Sequence, residues 1–410
     1  MPGRHLPAPH PALRHRALDA VNFFQAAVQS GFGPFIAVYL TAAHWTQQDI
    51  GFALSFGTIA LMACQVPCGA VIDATRHRRF ALSLATLGLG LSALLMAAVP
   101  VLASVLLSQA LHSLATAVSL PAIAALTLAL VGRRELGERM GRNARWSSIG
   151  NGVAAALMGW IGYSVSYRAV FVFTALLSLP ALFSLLFLPS GPPLEHHRQH
   201  RANRAPLAEM LADHRLFIFT VCAFFFQLSN AALLQLVGGE LTAGIGTGAN
   251  LVIAAAIVIP QVVVAALSPL AGRLATRLGR KRILALGFAA LPLRAAAFAL
   301  TANPALVLFL QILDGVAGTV YGVLTPLIVA DIAGDKGRFN VTMGMVGLAG
   351  GVGATLSTSL AGIIADRDGT ALAFLALAAA GLAATLTAHF VMPETAPEAL
   401  AGGEAPPARA

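Results

Sequence analysis

The sequence predicts an all-α integral membrane protein whose twelve transmembrane helices form two six-helix bundles. Three observations predict it: the scarcity of charge, the recurrence of apolar stretches of membrane-spanning length, and a repeat that maps one half of the chain onto the other. Only 10% of the 410 residues are charged, where a soluble chain carries about a quarter. Hydrophobic residues make up 57% and the mean hydropathy is +0.78. Water is therefore not the main solvent of this chain.

The apolar segments are about 20 residues long, enough to cross a hydrocarbon core of roughly 30 Å as helix. Read with their polar breaks they predict spans at 18–41, 49–72, 80–100, 103–131, 147–165, 168–188, 216–240, 250–273, 283–302, 304–331, 342–365 and 370–392. The third and fourth are divided by little more than Pro100. The domain organisation follows: an N-terminal segment 1–16, a first bundle 17–188, a central loop 189–215, a second bundle 216–392 and a tail 393–410. The Ala/Pro/Gly/Glu composition of the tail predicts disorder. The first apolar segment contains Asn22, Gln25 and Gln29 and has no small-residue cleavage site, so it is expected to be retained as a helix.

A net charge of +9 and a pI near 10.5 could point to nucleic acid, so the placement of the charges decides. With the N-terminus inside, Arg4, Arg14, Arg16, the turn 76–79, the stretches 133–145, 198–215 and 273–282, Lys336, Arg338 and Arg409 all fall in the cytoplasm. The far side keeps Arg168 and Arg367, and Arg294 lies within a span. This is the positive-inside asymmetry of a multi-pass protein with both termini cytoplasmic. It excludes nucleic acid as a partner, since no basic patch sits on a soluble face. The basic loops are expected to meet anionic membrane lipids. Arginine outnumbers lysine 24 to 2 and alanine is abundant, as in GC-rich bacteria, so the expected location is a bacterial inner membrane.

No metal or cofactor is expected. Cys64, Cys68 and Cys222 lie within apolar spans and read as small packing residues, and His196, His197 and His200 belong to a solvated basic loop. No Gly-x-x-x-x-Gly-Lys-Ser/Thr loop occurs, which disfavours a nucleotide-driven pump, and the spans hold no nucleophile or metal cluster for an enzyme.

The repeat is read from several positions. Gly69-Ala-Val-Ile-Asp73-Ala-Thr-Arg76-His-Arg78-Arg79 is followed 203 positions later by Gly272-Arg-Leu-Ala-Thr276-Arg277-Leu-Gly279-Arg280-Lys281-Arg282. Phe23-Phe24-Gln25 matches Phe225-Phe226-Gln227, Pro67 matches Pro269, and Gln109-x-x-His112 matches Gln311-x-x-Asp314, each at 202; Pro121 matches Pro326 at 205. Two halves of six spans and the same topology follow.

Twelve spans, a six-plus-six repeat, a central loop and a glycine-led basic turn after spans two and eight resemble the major facilitator superfamily of secondary transporters. The family signature in that turn runs Gly, three residues, Asp, a basic residue, any residue, Gly, then two basic residues. The first copy keeps Gly69 and Asp73 but has Ala74 and Arg76 where a basic residue and glycine belong; the second keeps Gly272, Arg277, Gly279, Arg280 and Lys281 but has Thr276 in place of the acid. The resemblance implies a conformational latch at Gly69, Asp73, Arg76, Arg78, Gly272, Arg277, Gly279 and Arg280. It also implies that spans one, four, seven and ten line a central cavity. Gln109 stands where the family often has an arginine, and the glycine-proline signature of antiporters in span five is not met by Gly150, Gly152, Gly159 and Gly162.

Charge within a span costs a few kcal/mol or more unless paired or hydrated, which makes such residues functional candidates. Asp314 and Arg294 each lie about 10 residues into their spans, roughly 15–17 Å deep, so they could meet as an ion pair. His112 holds the repeat position equivalent to Asp314, and the two would face one another across the cavity. The reading is a transporter of a small organic solute working by alternating access, as a monomer, with protons coupled through Asp314, His112 and Arg294. Gln25, Gln29, Gln109, Gln227, Asn230 and Gln311 are the expected cargo contacts. Export is one direction open to it; a proton-coupled uptake permease, a passive facilitator and a membrane sensor are the alternatives. A cationic or neutral amphiphile is the favoured cargo where Asp314 stands unpaired.

Overall fold

The computed structural model describes residues 11–32, 34–45, 47–75, 77–188, 209–210, 212–245, 249–301, 303–333 and 338–396. Every regular element among them is helical. The first span is built from Pro11–Ser30 and Pro34–Ala42, the second from Gln47–Ala74 and the third from Arg78–Ala98. Leu102–Ser164 carries the fourth and fifth, and Tyr167–Leu185 is the sixth. In the second half His214–Asn230 and Leu233–Ile245 form the seventh, Ala249–Leu278 the eighth, and Arg280–Phe288 with Ala290–Leu300 the ninth. Pro304–Ala333 is the tenth and Phe339–Asp368 the eleventh. Thr370–Leu386, continued by a π-helical turn Thr387–Val391, is the twelfth.

Ten of these stretches are, among the described residues, long and apolar enough to cross a membrane. The first and fifth are more polar: one carries Arg14, Arg16, Asp19, Asn22, Gln25 and Gln29, the other Asn151 among four glycines. The spans are apolar on both faces, as lipid requires. On the third, Phe80, Leu84, Leu87, Leu91 and Leu94 recur at helical spacing and are exposed, while Leu82, Leu89, Ala93 and Met96 on the opposite face are buried.

The chain divides into two compact units, Met1–Leu130 with Trp146–Ala202, and Val131–Arg145 with Asn203–Ala410. They are built alike. In the first, the first and third spans pack on the sixth; in the second, the seventh and ninth pack on the twelfth. The same repeat appears in close backbone contacts. A Cβ on Gly150 would lie 2.2 Å from the carbonyl oxygen of Phe23, and one on Gly353, 203 positions later, 2.3 Å from that of Phe224. So the fifth span touches the first, and the eleventh the seventh, at distances only glycine allows. Both the first and seventh spans are interrupted after about twenty residues. In the seventh, Ser357 of the eleventh span accepts the hydrogen bond of the Ala232 amide at 3.1 Å, close to the interruption.

One element departs from the sequence reading. The stretch 133–145, expected as a loop before a span beginning at 147, is helical and continuous with the fifth span; the helix is broken from the fourth only at Gly132, whose φ of 68° and ψ of −178° no helix tolerates. The reason is a Gly-x-x-x-Gly pair that the charge count hid. Gly137 lies against the backbone of Gly272, and Gly141 against Ser268 and Pro269 of the eighth span, with ideal Cβ positions 2.8 and 2.3 Å from the carbonyl oxygens of Gly272 and Ser268. The contact is flanked by an Arg273–Glu138 ion pair at 2.8 Å and by Arg145 Nε donating to the Ala265 carbonyl at 2.9 Å.

Gly141→Val is expected to force this contact apart and cost on the order of 1–3 kcal/mol, read as a lowered melting temperature of the detergent-solubilised protein. Gly152→Ala, where a Cβ meets nothing within 4 Å, is expected to leave it unchanged or raise it.

Candidate functional site

Within the ninth span of the second unit lies a buried arginine. Arg294 sits in Ala290–Leu300, with its side chain 3% exposed. In a bundle surrounded by lipid such a cation survives only with partners. It has three. One Nη donates to Oδ1 of Asn230 at 2.7 Å, the other is paired with the carboxylate of Asp314, and the guanidinium carbon lies 5.9 Å from the Phe298 ring centroid. Its Nε has no hydrogen-bond partner among the described residues. The cluster thus ties the seventh, ninth and tenth spans together at one level.

Asp314 is the open member, with 27% of its side chain exposed. At 100° per residue Asp314 points about 140–160° away from Phe309 and Ile312 and about 80° away from Leu306, the exposed large apolar residues of the same helix. It shares its face with Gln311 and, two turns on, Tyr321. Gln311 is buried with its Oε1 unpartnered among the described residues. Tyr321 stacks on Phe226 at 4.2 Å and 9°. Gln227 is half-buried, and both it and Tyr321 lie beside Gly350, whose missing side chain leaves them room.

In the first unit the expected glutamines are mostly engaged within the bundle. Gln25 is 2% exposed; its amide nitrogen donates to Ser119 at 2.8 Å and its oxygen accepts from Thr86 at 3.0 Å, joining spans one, three and four. Gln109 donates to the Ala53 carbonyl at 3.3 Å and Ser113 to that of Gly57 at 2.7 Å, binding the fourth span to the second. Gln29 is half-buried and makes no side-chain hydrogen bond among the described residues. His112 stacks on Phe32 with ring centroids 3.9 Å apart, its Nε2 lies 3.4 Å from Thr116 Oγ1, and its Nδ1 is without a partner among the described residues. His112 and Asp314 belong to different units.

The two basic turns are held differently. In the first, Asp73 is buried and acts electrostatically on Arg78, whose guanidinium donates to the Ala125 carbonyl at 3.2 Å. Arg76 lies outside the described residues. In the second, Thr276 turns its hydroxyl back onto the Gly272 carbonyl at 3.0 Å, Arg277 is exposed, and Arg280 is buried. Two carboxylates stand in for the acid that position 276 lacks. Asp331 pairs with Arg280 Nε at 3.0 Å, and Glu394 accepts from the backbone amides of Arg280 and Lys281 at 2.8 and 3.2 Å. A carboxylate on the first free amides of a helix is a favourable cap. It fits because Gly279, at φ 93°, has no Cβ; one there would lie 2.3 Å from the Glu394 carboxylate.

The comparisons with known proteins agree with this architecture. The family model described as Major Facilitator Superfamily matches residues 18–259 and 216–410. The chain belongs to the major facilitator superfamily. It is 34% identical over 393 residues to an uncharacterised MFS-type transporter of Mycobacterium tuberculosis, in strains CDC 1551 and H37Rv alike, covering 93% of each chain. The crystal structure of the human organic anion transporter MFSD10 (TETRAN) matches with a TM-score of 0.70 at 14% identity, over 93% of this chain and all of that one. The protein is thus a multi-pass membrane transporter and not an enzyme.

Several residues that shape this superfamily member were missed in the sequence. Asn151 accepts from Ser30 at 2.8 Å and joins the fifth span to the first. Glu394 falls in the stretch whose composition predicts disorder, yet it is the first acid after the last span and it holds the amides of Arg280 and Lys281. Gly279→Ala is expected to strain the backbone and displace Glu394, at about 1–2 kcal/mol, whereas Glu394→Gln keeps an acceptor and should cost less. Thermal unfolding of the two variants in detergent checks the order.

Proposed function

We propose that this chain is a proton-coupled secondary transporter of a small organic solute, working by alternating access in a bacterial inner membrane with both termini in the cytoplasm. Asp314 carries the coupling proton and Arg294 sets its affinity. The observation that carries this reading is the inequality of the pair: the arginine is enclosed and anchored to Asn230, while the carboxylate keeps 27% of its side chain exposed. A proton can therefore reach the acid without the base having to move. Protonation removes one half of a buried pair, and such a loss costs about 3–5 kcal/mol unless another contact replaces it. That is enough to shift a balance between two conformations by roughly two to four orders of magnitude.

His112, stacked on Phe32, serves packing in this reading and is left out of the coupling pair. In the second unit Gln227 and Gln311 remain the contacts for cargo, with Asn230 engaged by Arg294, while Gln25 and Gln109 have their hydrogen bonds within the first unit. The residues around Asp73 and Arg280 act as latches: their carboxylates hold helix ends and arginines in one state of the cycle and release them in another. The bacterial location rests on the arginine-rich composition and on the mycobacterial relatives.

In proteoliposomes loaded with a pH-sensitive dye, a gradient of any solute that stabilises the purified protein is expected to drive proton movement. Asp314→Asn should abolish that proton movement while solute exchange between equal concentrations continues. Undiminished proton flux in Asp314→Asn would overturn the assignment.

A further inference from the structure

The pairing of Asp314 changes which cargo the site suits. A cationic solute is a sensible partner for an unpaired carboxylate, but this carboxylate already faces a guanidinium. Arg294 is enclosed, held by Asn230 at 2.7 Å and placed over Phe298. A cationic cargo drawn to Asp314 would have to sit beside that fixed charge. A neutral cargo would leave it without an anion once Asp314 is protonated. Neither solves the physical problem that protonation creates, which is a buried cation with no counter-charge.

A carboxylate solves it. We infer that the transported solute is a small organic carboxylate that binds Arg294 in place of Asp314 when Asp314 takes up a proton. The inference rests on the proposed coupling at Asp314. The charges balance: one proton neutralises the aspartate, one anion replaces it on the guanidinium, and the site stays neutral throughout. The planar fork of Arg294 suits a carboxylate, and its Nε, without a partner among the described residues, is a donor still to be used.

The surroundings of Asp314 keep this exchange simple. The ninth span supplies Arg294, and the seventh supplies Asn230 and Gln227, which do not titrate. The eighth-span residues against the tenth near this level, Pro260, Val263 and Val264, are apolar. On its own helix Gln311 is uncharged, and Tyr321 is stacked on Phe226 two turns away. One proton and one anion are therefore linked at one arginine. Because both are bound together, they travel the same way, so the site suits a symporter; with protons flowing inward, the solute is taken up.

The test uses the purified full-length protein and a matched panel: benzoate, hexanoate and indole-3-acetate, with their amides and the corresponding amines. Binding is read by calorimetry and by the shift in melting temperature at several pH values. The expected result is that carboxylates bind and amides and amines do not. Carboxylate affinity should rise as pH falls, by up to about tenfold per pH unit, the limit for one proton linked to one anion. Measurement in buffers of different ionisation enthalpy should show one proton taken up per carboxylate.

Asp314→Asn should bind carboxylates with no pH dependence. The double variant Arg294→Met with Asp314→Leu removes the pair as a unit and should stay folded, yet bind none. Amines or amides binding as well as the carboxylates, no carboxylate stabilising the protein at millimolar concentration, or binding that survives the double variant would each overturn the inference. In those cases the proton-flux result for Asp314→Asn still decides the coupling separately. Carboxylate binding without proton uptake overturns both.

Discussion

Helices in lipid gain nothing by hiding apolar side chains from one another, because the acyl chains outside are as apolar as the leucines inside. What holds this protein together is the close approach of backbones at glycine. Gly150 against Phe23, Gly353 against Phe224 and Gly272 against Gly137 bring main chains to distances at which any side chain would collide. Close approach of this kind favours dispersion contact and brings hydroxyl and amide groups within reach of neighbouring carbonyls. The large apolar side chains are correspondingly free to face outward, as the exposed stripe of the third span does.

Polar residues within the spans divide by what they bind. Those that satisfy a neighbour's backbone or hydroxyl, such as Gln25 with Ser119 and Thr86 or Ser113 with Gly57, work as fasteners and have no capacity left for cargo. Others keep an unsatisfied atom or an open face, and in the second unit three of these, Gln311, Arg294 and Asp314, lie close together. The repeat that makes the two units alike in backbone leaves them unlike in charge: position 112 holds a histidine stacked on a phenylalanine, and its counterpart 314 an aspartate on an arginine. Chemistry has diverged on a duplicated scaffold.

The architecture was legible in the sequence because its causes are collective. Length, apolarity and the side on which arginine falls are summed over many residues, and the offset near 203 recurs in contacts between helices as it does in motifs. The meeting of Arg294 and Asp314 was also foreseeable, since equal depth in adjacent spans leaves few other partners for either. Individual glutamines were not legible, because a helix position fixes which way a side chain leaves the backbone but not which hydroxyl waits for it. The helix at 133–145 was hidden by its charges: five arginines there read as a loop, while Gly137 and Gly141 among them decided the structure. The acid missing at Thr276 was sought at its own position and is supplied by Asp331 and Glu394, 55 and 118 residues away.

The last span ends in a π-helical turn at Thr387–Val391, which accommodates one more residue in its turn than an α-helix does. An extra residue rotates the emerging chain by about 100°, and the segment that emerges carries Glu394 onto the amides beyond Gly279. The final helix therefore has its residue count specified at its exit and not by the thickness of the bilayer alone. Apolar residues added to or removed from its middle would be tolerated by lipid, which adjusts to a few ångströms of mismatch, but not by a carboxylate that must arrive facing a particular glycine. The span is cut to the length of its own clasp.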